Sequence, residues 1–579
     1  MGDGEKMQKK GQSFIKGALV LGVANLVVKI IGAVFKIPLI NLIGDDGSGY
    51  FNVAYQIYTF MFIVATAGFP IAISKMVAES IARDNERDAR RIFQTAISFL
   101  TVIGLVGSLI LYFFADQLAN LVGIADAALG IRAISPAVFF VSMVSAFRGY
   151  FQGRQNMFPT AFSEIIEAGA KLLGLALAAL FMHMAVSPAL SVAVDWAKRL
   201  VDSAHTQTVF ASAGAIFGVT IGTFLSFLLL SVIYFFSKRH YRLAHRTETV
   251  RPRSVILKEL ILIAIPITIG ASVSSLTTLI DMATISKRLI TNPAVFDEYA
   301  FMFSEGTKFF EKALEEGWTG AALLEQKAAT LYGMYTGKAL TMFNLPLTLI
   351  VALGMSVVPA ISAAVAKHQR GEAKTITEST IRIAMLFAAP CALGMASLSK
   401  QVLQLLFNDY NAHVVLSILS VAIIPVALVS VTNAILQAYG KVYVPVVNML
   451  IGGAAKVLFN FFCIPILGID GAPLGTTLCY LIIAVLNMVS IVRVSGMRFH
   501  VVDFLAKPLI AAGAMGVLGL VLDHFLPLSR WIAIPEIAVC GVFYGIAVFA
   551  VRAIKREDVL RLPKGEKIAA ILTRCKLLK

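Results

Sequence analysis

Fourteen apolar segments, each long enough to cross a bilayer, restrict the fold of this chain more than any other feature. A helix rises about 1.5 Å per residue and needs about 20 apolar residues to span the hydrocarbon core. The sequence therefore predicts an all-α polytopic membrane protein with about 14 transmembrane helices. The segments are approximately 17–42, 50–73, 92–115, 129–151, 158–183, 208–236, 257–285, 329–360, 378–398, 413–438, 442–466, 469–492, 504–525 and 531–551.

Composition supports this class of protein. Of 579 residues, 58% are hydrophobic and 15% are charged, and the mean hydropathy is +0.81, which excludes a soluble globular domain. The net charge of +16 comes from basic residues that lie between the apolar segments. Such placement is typical of membrane topology signals, so no nucleic-acid partner is expected.

The basic residues also predict an orientation. They concentrate in the N-terminus, in alternate loops such as 238–253, and in the C-terminal tail. Because cytoplasmic loops are enriched in Lys and Arg, we predict that both termini are cytoplasmic and contact anionic membrane lipids. Two longer loops, 184–207 and 286–328, are then external, and the short loop at 43–49 between the first two segments is external as well.

The two halves of the chain resemble each other. AISKMVA at 72–78 recurs as AISAAVA at 360–366, and Lys171 recurs as Lys456 at an offset of 285 residues. This internal repeat predicts two six-helix lobes related by a pseudo-two-fold axis along the membrane normal. The predicted organisation is an N-terminal lobe 1–240, a C-terminal lobe 241–500 with the insert 286–328, two further helices in 501–552, and a basic tail 553–579.

Two lysines lie inside the first apolar segment. Lys29 is near its middle and Lys36 is about two helical turns further on, on the same face. Intramembrane charge is costly and usually functional, so Lys29 predicts a polar interior that receives an anion. The alternatives are that the bilayer thins locally around Lys29, or that Lys29 pairs with a carboxylate such as Asp281 or Glu164.

Other polar residues within the segments are candidates for the same site or for ion coupling. Glu164 and Glu167 precede Lys171 on one helical face, which predicts a local acid–base pair. A carboxylate at membrane depth can bind Na+ or H+, or it can neutralise a neighbouring cation, and both interpretations stay open. The predicted substrate-binding residues are Lys29, Lys36, Lys338, Asn344, Lys171 and Lys456, and the candidate ion-coupling residues are Asp281, Glu164 and Glu167.

No motif indicates a cofactor or a metal. The eight histidines lack metal-ligand spacing, and most of the five cysteines lie inside apolar runs as small hydrophobic residues. GMYTGKA at 333–339 lacks the spacing of a phosphate-binding loop. Asp45 and Asp46 could serve a membrane glycosyltransferase as an acidic site, but an Asp-Asp-Gly run is more typical of a turn.

Several stretches together resemble a known family. They are the IGDDGSGYFN loop, AGFPIAISKMVAE at 67–79, LPLTLIVALGMSVVPAIS at 345–362, QAYGKVYVPVVNMLIGGAAKVLFN and GIDGAPLGTTLCY. The chain resembles the polysaccharide-transport branch of the multidrug, oligosaccharidyl-lipid and polysaccharide (MOP) exporter superfamily, which includes sporulation proteins and lipid II flippases of Gram-positive bacteria.

The resemblance implies two six-helix lobes around a central cavity, with helices 13 and 14 forming a groove for a polyprenyl tail. It implies cationic substrate contacts in the first and eighth helices, where this chain has Lys29, Lys36 and Lys338. It further implies a monomeric flippase of the bacterial cytoplasmic membrane that moves a polyprenyl-pyrophosphate-linked glycan by alternating access, driven by Na+, H+ or the membrane potential. The chain departs from the family by having lysines where arginines are usual, so bidentate contact with a pyrophosphate is not expected.

Two other functions compete with this one. A drug or cation antiporter of the same superfamily should carry uncompensated carboxylates, whereas the embedded charges here are mostly basic. A membrane glycosyltransferase ranks third, because the chain offers little external domain for a second substrate.

Overall fold

The computed structural model describes residues 2–183, 203–240, 250–496 and 502–553. These ranges are helical and contain no β-strand, which confirms the all-α class. Most of the predicted external loop 184–207, part of the basic loop 238–253 and nearly all of the tail 553–579 lie outside the described residues.

The described residues up to 290 form eight α-helices and one short 3-10 turn. They are α1 Gly2–Thr66, α2 Phe69–Ala82, α3 Glu86–Phe113, α4 Ala115–Val122, the 3-10 turn Ala125–Ala127, α5 Ala128–Gly153, α6 Phe158–His183, α7 Ala204–His240 and α8 Arg253–Ile290.

The remaining elements include two π-helical segments. They are the 3-10 segment Pro293–Met302, α9 Lys308–Glu315, α10 Gly320–Met334, the π segment Tyr335–Ala339, α11 Leu340–Ala366, α12 Arg370–Ser397, α13 Ser399–Phe407, α14 His413–Val421, α15 Ile423–Ala438, α16 Tyr443–Leu467, the 3-10 turn Gly468–Asp470, α17 Gly471–Ser495, the π segment Val502–Ala506, α18 Lys507–Phe525 and α19 Ala533–Ala550.

By length and composition, ten helical stretches within the described ranges can cross a bilayer, which confirms a multi-pass membrane protein. Two of the ten, Val27–Ala82 and Tyr443–Ser495, each contain two of the predicted segments. The predicted segments 257–285 and 329–360 are helical as well, although they are not among the ten. The exact number of fourteen stays a prediction.

The first two predicted segments are joined without the loop expected at 43–49. Residues 41–50 are helical, and the chain changes direction at Gly44, whose φ of +74° and ψ of −174° depart from helical geometry. Glycine reaches this left-handed region without a Cβ clash, so Gly44 separates two helical parts of α1. The change of direction predicted near Asp45 and Asp46 therefore lies at Gly44, and both aspartates lie at the start of the second helical part.

The chain divides into two compact units. Unit 1 contains residues 1–286 and 303–333, and unit 2 contains residues 287–302 and 334–579. The predicted lobe boundaries at residues 240 and 500 are based on the sequence repeat, and they differ from the boundaries of the two packing units. They stay predictions.

Unit 1 has a core in which α2, α3, α5, α7 and the start of α8 meet. Its members include Ile73, Phe93, Phe147 and Leu260, all buried. Arg251, just before α8, is held by Asp88, whose carboxylate accepts from Nη2 at 2.7 Å and from Nε at 2.9 Å. Hydrogen bonding to Asp88 raises the pKa of Arg251, so this link at the start of α8 keeps its charge.

Unit 2 is built from α11, α12 and α14–α17, with α18 packed on α12 and α19 packed on α18. A small apolar cluster joins the last two helices to the rest of the unit, and its buried members are Leu398, Met515 and Cys540. Separately, the hydroxyl of Tyr299 donates to Asp470 at 2.9 Å. Burial and the Asp470 carboxylate raise the pKa of Tyr299, so the tyrosine stays a donor.

Candidate functional site

The two lysines of α1 differ in exposure. Lys29 is exposed, whereas Lys36 is partly buried. Lys29 forms no ion pair with any residue in the described ranges. Glu164, one of its two proposed partners, instead lies 3.9 Å from Arg148. The structure therefore does not support an ion pair between Lys29 and either of these carboxylates.

Arg148 on α5 is the centre of a buried polar network in unit 1. Its Nη2 donates to Glu167 Oε2 at 3.0 Å, and its Nη1 lies 3.9 Å from Glu164 Oε1. Its Nε donates to Ser163 Oγ at 3.1 Å, and Nη2 also reaches Ser226 Oγ at 3.5 Å. The Arg148 side chain is only 8% exposed, so the ion pair with Glu167 is shielded from solvent.

This network adds to the predicted local pairing on α6. Glu167 is an electrostatic neighbour of Lys171 one turn later, but its close ion pair is with Arg148 of a neighbouring helix. Lys171 is partly buried, and its Nζ lies 5.8 Å from the centre of the Tyr55 ring on α1, within cation–π range. Sequence reasoning did not single out Arg148, although an arginine inside an apolar segment was a signal that could have found it.

Unit 2 has a neutral counterpart of this network. Asn448 donates to Asn487 at 2.8 Å, and Asn487 donates to Asn433 at 2.8 Å and to Thr432 at 3.0 Å. At the repeat offset of 285 residues, Asn433 corresponds to Arg148 and Asn448 corresponds to Ser163. Side chains at corresponding positions of the predicted repeat therefore link corresponding helices. The links are ion pairs in unit 1 and hydrogen bonds between amides in unit 2.

The repeat-related lysines do not have equivalent environments. Lys456 on α16 is 1% exposed, and Asn460 one turn later is fully buried. Lys171, in contrast, retains partial exposure. A ligand outside the helices can therefore reach Lys171 more easily than Lys456.

Lys338 lies in the π segment Tyr335–Ala339 and is 5% exposed. Its ammonium forms an ion pair with Asp409. Asn344 is exposed, and its amide donates to the Leu340 carbonyl at 2.8 Å. Of these two predicted substrate contacts, Asn344 is accessible, whereas Lys338 is enclosed with a carboxylate.

Asp281 on α8 is 5% exposed and is an electrostatic neighbour of the buried Tyr332. In the described parts of the chain, no group of three or more His, Cys, Asp and Glu side chains is arranged to hold a metal.

The insert contacts residues of the helices in unit 1. Lys312 donates to Asp46 at 2.5 Å and to Thr208 at 2.8 Å. Gln326 donates to Asp126 at 2.5 Å, and its carbonyl oxygen accepts from the hydroxyl of Tyr50 at 2.6 Å. Asp46 therefore anchors the insert through its contact with Lys312.

Comparisons with known proteins agree with this fold. A family model described as polysaccharide biosynthesis protein matches residues 14–365, and a second, described as lipid II flippase MurJ, matches residues 326–536. Two relatives come from Bacillus subtilis. Stage V sporulation protein B is 22% identical and covers 95% of this chain and 98% of its own length. Lipid II flippase MurJ is 24% identical and covers 87% of each chain.

Two solved structures share the fold. A lipid II flippase MurJ in an inward closed conformation has a TM-score of 0.63 at 14% identity, covering 91% of this chain and 98% of that one. An inward-facing multidrug resistance MATE family transporter of the MOP superfamily has a TM-score of 0.59 at 13% identity, covering 83% and 98%.

The helical units and their buried intramembrane charges thus define a multi-pass membrane protein with the fold of the MOP superfamily. Within that class, this chain belongs to the polysaccharide biosynthesis protein family.

Proposed function

We propose that this protein is a flippase that moves a polyprenyl-pyrophosphate-linked glycan, such as a lipid II-like peptidoglycan precursor, across the bacterial cytoplasmic membrane. The proposal is supported by its similarity, over most of its length, to a lipid II flippase and a sporulation protein. The observation in the structure that carries it is Lys29, an exposed cation on a membrane helix without a carboxylate partner in the described residues. Such a cation suits an anionic headgroup.

Lys29 is the proposed contact for the pyrophosphate. A doubly charged headgroup gains more from a fixed cation in a poorly hydrated site than it does in water. Lys36, Lys171 and Asn344 are proposed as secondary contacts, because each retains some exposure. Lys338 and Lys456 are buried and are proposed to act mainly through packing and ion pairing.

Transport of this kind needs an energy source. Asp281, Glu164 and Glu167 stay proposed sites for Na+ or H+ coupling, with Arg148 competing for the two glutamates. We further propose cytoplasmic termini, a monomeric state and no cofactor.

The two competing functions fit less well. For a drug or cation antiporter, Glu167 is a poor candidate for the cation-binding carboxylate, because it is bonded to Arg148. The MATE transporter similarity shows a shared fold only. A glycosyltransferase is disfavoured because Asp46 is bonded to Lys312.

The test is complementation of a bacterium depleted of its lipid II flippase. Lys29→Ala should abolish growth while membrane abundance stays normal, because the change removes the charge that receives the pyrophosphate but disrupts no internal ion pair. Lys29→Arg should restore most growth, since it keeps the positive charge. Lys36→Ala should reduce growth less than Lys29→Ala.

Lys75→Ala is the matched control, since Lys75 is another exposed helical lysine, with only a weak contact to Glu79 at 4.0 Å. It should grow as the wild type does. Normal growth of the Lys29→Ala strain at normal abundance would refute the assignment of Lys29.

A further inference from the structure

Glu536 is an acidic residue in the first turn of α19 that the proposed function does not use. It is 2% exposed, so its carboxylate is removed from solvent. Neither carboxylate oxygen has a hydrogen-bond partner among the described residues. A buried charge without a partner costs several kcal/mol, so the position of Glu536 requires an explanation.

Two other polar side chains lie in the same region of unit 2. Asp523, in the last turns of α18, is an electrostatic neighbour of Glu536. Its Oδ1 accepts from Nε2 of Gln401 on α13 at 2.9 Å. The amide oxygen of Gln401 is also buried and has no hydrogen-bond partner in the described ranges. The apolar cluster of Leu398, Met515 and Cys540 borders the same three helices.

All the unsatisfied atoms in this group are acceptors. They are both carboxylate oxygens of Glu536 and the amide oxygen of Gln401. Acceptors without donors attract a cation, and the C-terminal end of α18 adds the partial negative charge of its carbonyls. The chemistry of the group therefore points to a positively charged ligand.

The number of unsatisfied oxygen acceptors helps to choose among the cations that could bind here. A proton on Glu536 would make its carboxyl group a donor to one acceptor, whereas a metal ion bound between Glu536 and Gln401 would contact oxygens of both side chains. Ca2+ requires six to eight oxygen ligands, and the described residues contain no group of three or more acidic or histidine side chains suited to a metal. A monovalent cation is the better match.

We propose that Glu536, Asp523 and Gln401 form a binding site for Na+ where α13, α18 and α19 meet. In this site, Glu536 and the amide oxygen of Gln401 ligate the ion, and Asp523 orients the Gln401 amide and adds negative charge. The site belongs to unit 2, whereas Asp281, Glu164 and Glu167 belong to unit 1, and it does not depend on the identity of the transported substrate. It would fix the last two helices to α13 when Na+ is bound.

The position of Glu536 in the first turn of a helix offers a simpler explanation, since helix N-termini favour acidic residues. That interaction contributes about 0.3–1 kcal/mol at exposed sites, which is less than the cost of burying a carboxylate. Glu372 provides the comparison, because it too lies in the first turn of a helix of unit 2 but is exposed.

The experiment uses the full-length protein in lipid nanodiscs, with NaCl replaced by choline chloride or KCl at constant ionic strength. Wild-type protein should melt about 3 °C higher at saturating Na+ than in choline, since ligand binding to the folded state stabilises it. Glu536→Gln should lose this Na+ dependence and should bind one fewer 22Na+ per protein. Glu372→Gln should behave as the wild type does.

Gln401→Met provides a second variant that leaves both carboxylates in place. The Na+ concentration needed for half-maximal stabilisation should rise about tenfold. This variant tests the proposal even if Glu536→Gln does not fold. A Na+ response that survives in both variants would overturn the proposal. The proposal would also be overturned if the wild-type melting temperature did not change with Na+ but changed with pH, and if Glu536→Gln removed that pH dependence. Glu536 would then bind a proton and not Na+.

Discussion

At the residue scale, Arg148 shows that an apolar segment can contain a buried charge when another helix supplies the opposite charge. Its guanidinium is buried and bonded to Glu167, so two opposite charges from different helices compensate each other. The sequence shows that both residues lie in membrane segments, but it does not show which charges meet. Glu167 has Lys171 one turn away on its own helix, and tertiary packing instead pairs it with Arg148.

Breaking the Arg148 pair should destabilise the protein strongly. In Arg148→Met the Glu167 carboxylate stays buried without its ion-pair partner, and we expect a loss of about 3–5 kcal/mol in the free energy of unfolding. Adding Glu167→Gln should recover more than half of that loss, because the more deeply buried of the two carboxylates beside Arg148 is then neutral. Unfolding in mixed detergent and SDS micelles measures both effects.

Arg132 on the same helix is the matched control. Its pair with Asp116 has a contact distance of 2.5 Å, but the two side chains are 38% and 55% exposed. Exposed pairs contribute about 0–1 kcal/mol, so Arg132→Met should change the free energy of unfolding little. Equal losses in Arg132→Met and Arg148→Met would show that burial does not set the strength of the Arg148 pair.

At the element scale, both units contain a close helix–helix contact at a glycine, but the glycine lies on a different helix of the pair in each unit. In unit 1, α7 approaches α6 at Gly222, where a Cβ would lie 2.6 Å from the Glu167 carbonyl oxygen. In unit 2, the position that corresponds to Glu167 is Gly452 of α16, where a Cβ would lie 2.5 Å from Ile483 of α17. The close contact is present in both units, with the glycine on opposite helices of the pair.

Gly222→Ala should separate α6 from α7 and should destabilise unit 1 by about 1–3 kcal/mol, since the backbone must shift to admit the methyl group. Gly169 lies on α6, and a Cβ added there would have no neighbouring atom within 4 Å. Gly169→Ala should therefore be neutral or stabilising by up to about 1 kcal/mol, because alanine favours the helix. In melting experiments on the two purified variants, Gly222→Ala should melt below the wild type and Gly169→Ala should not. An equal decrease in both melting temperatures would contradict this account of the contact.

At the scale of the whole molecule, the orientation in the membrane is the main property that still rests on sequence. The basic loops predict cytoplasmic termini and an external insert. The insert is exposed at Glu305 and the end of α2 is exposed at Arg83, so both sites are accessible to a reagent on their own side of the membrane.

In a cysteine-free background, Glu305→Cys should react with an impermeant maleimide in intact cells. Arg83→Cys should react only after the cells are permeabilised. The two labelling patterns serve as controls for each other, because the predicted loops lie on opposite sides. Labelling of Arg83→Cys and protection of Glu305→Cys in intact cells would reverse the orientation.

The sequence alone determined the class of the protein and the approximate positions of its membrane helices, because hydrophobic length and periodicity are local properties of the chain, and it predicts the duplication. It also pointed to Lys29, whose depth in an apolar segment can be read directly from its position. It did not reveal the partners of buried charges, since these depend on which helix faces meet. Only the tertiary structure placed Arg148 against Glu167, Lys338 against Asp409 and Lys312 against Asp46.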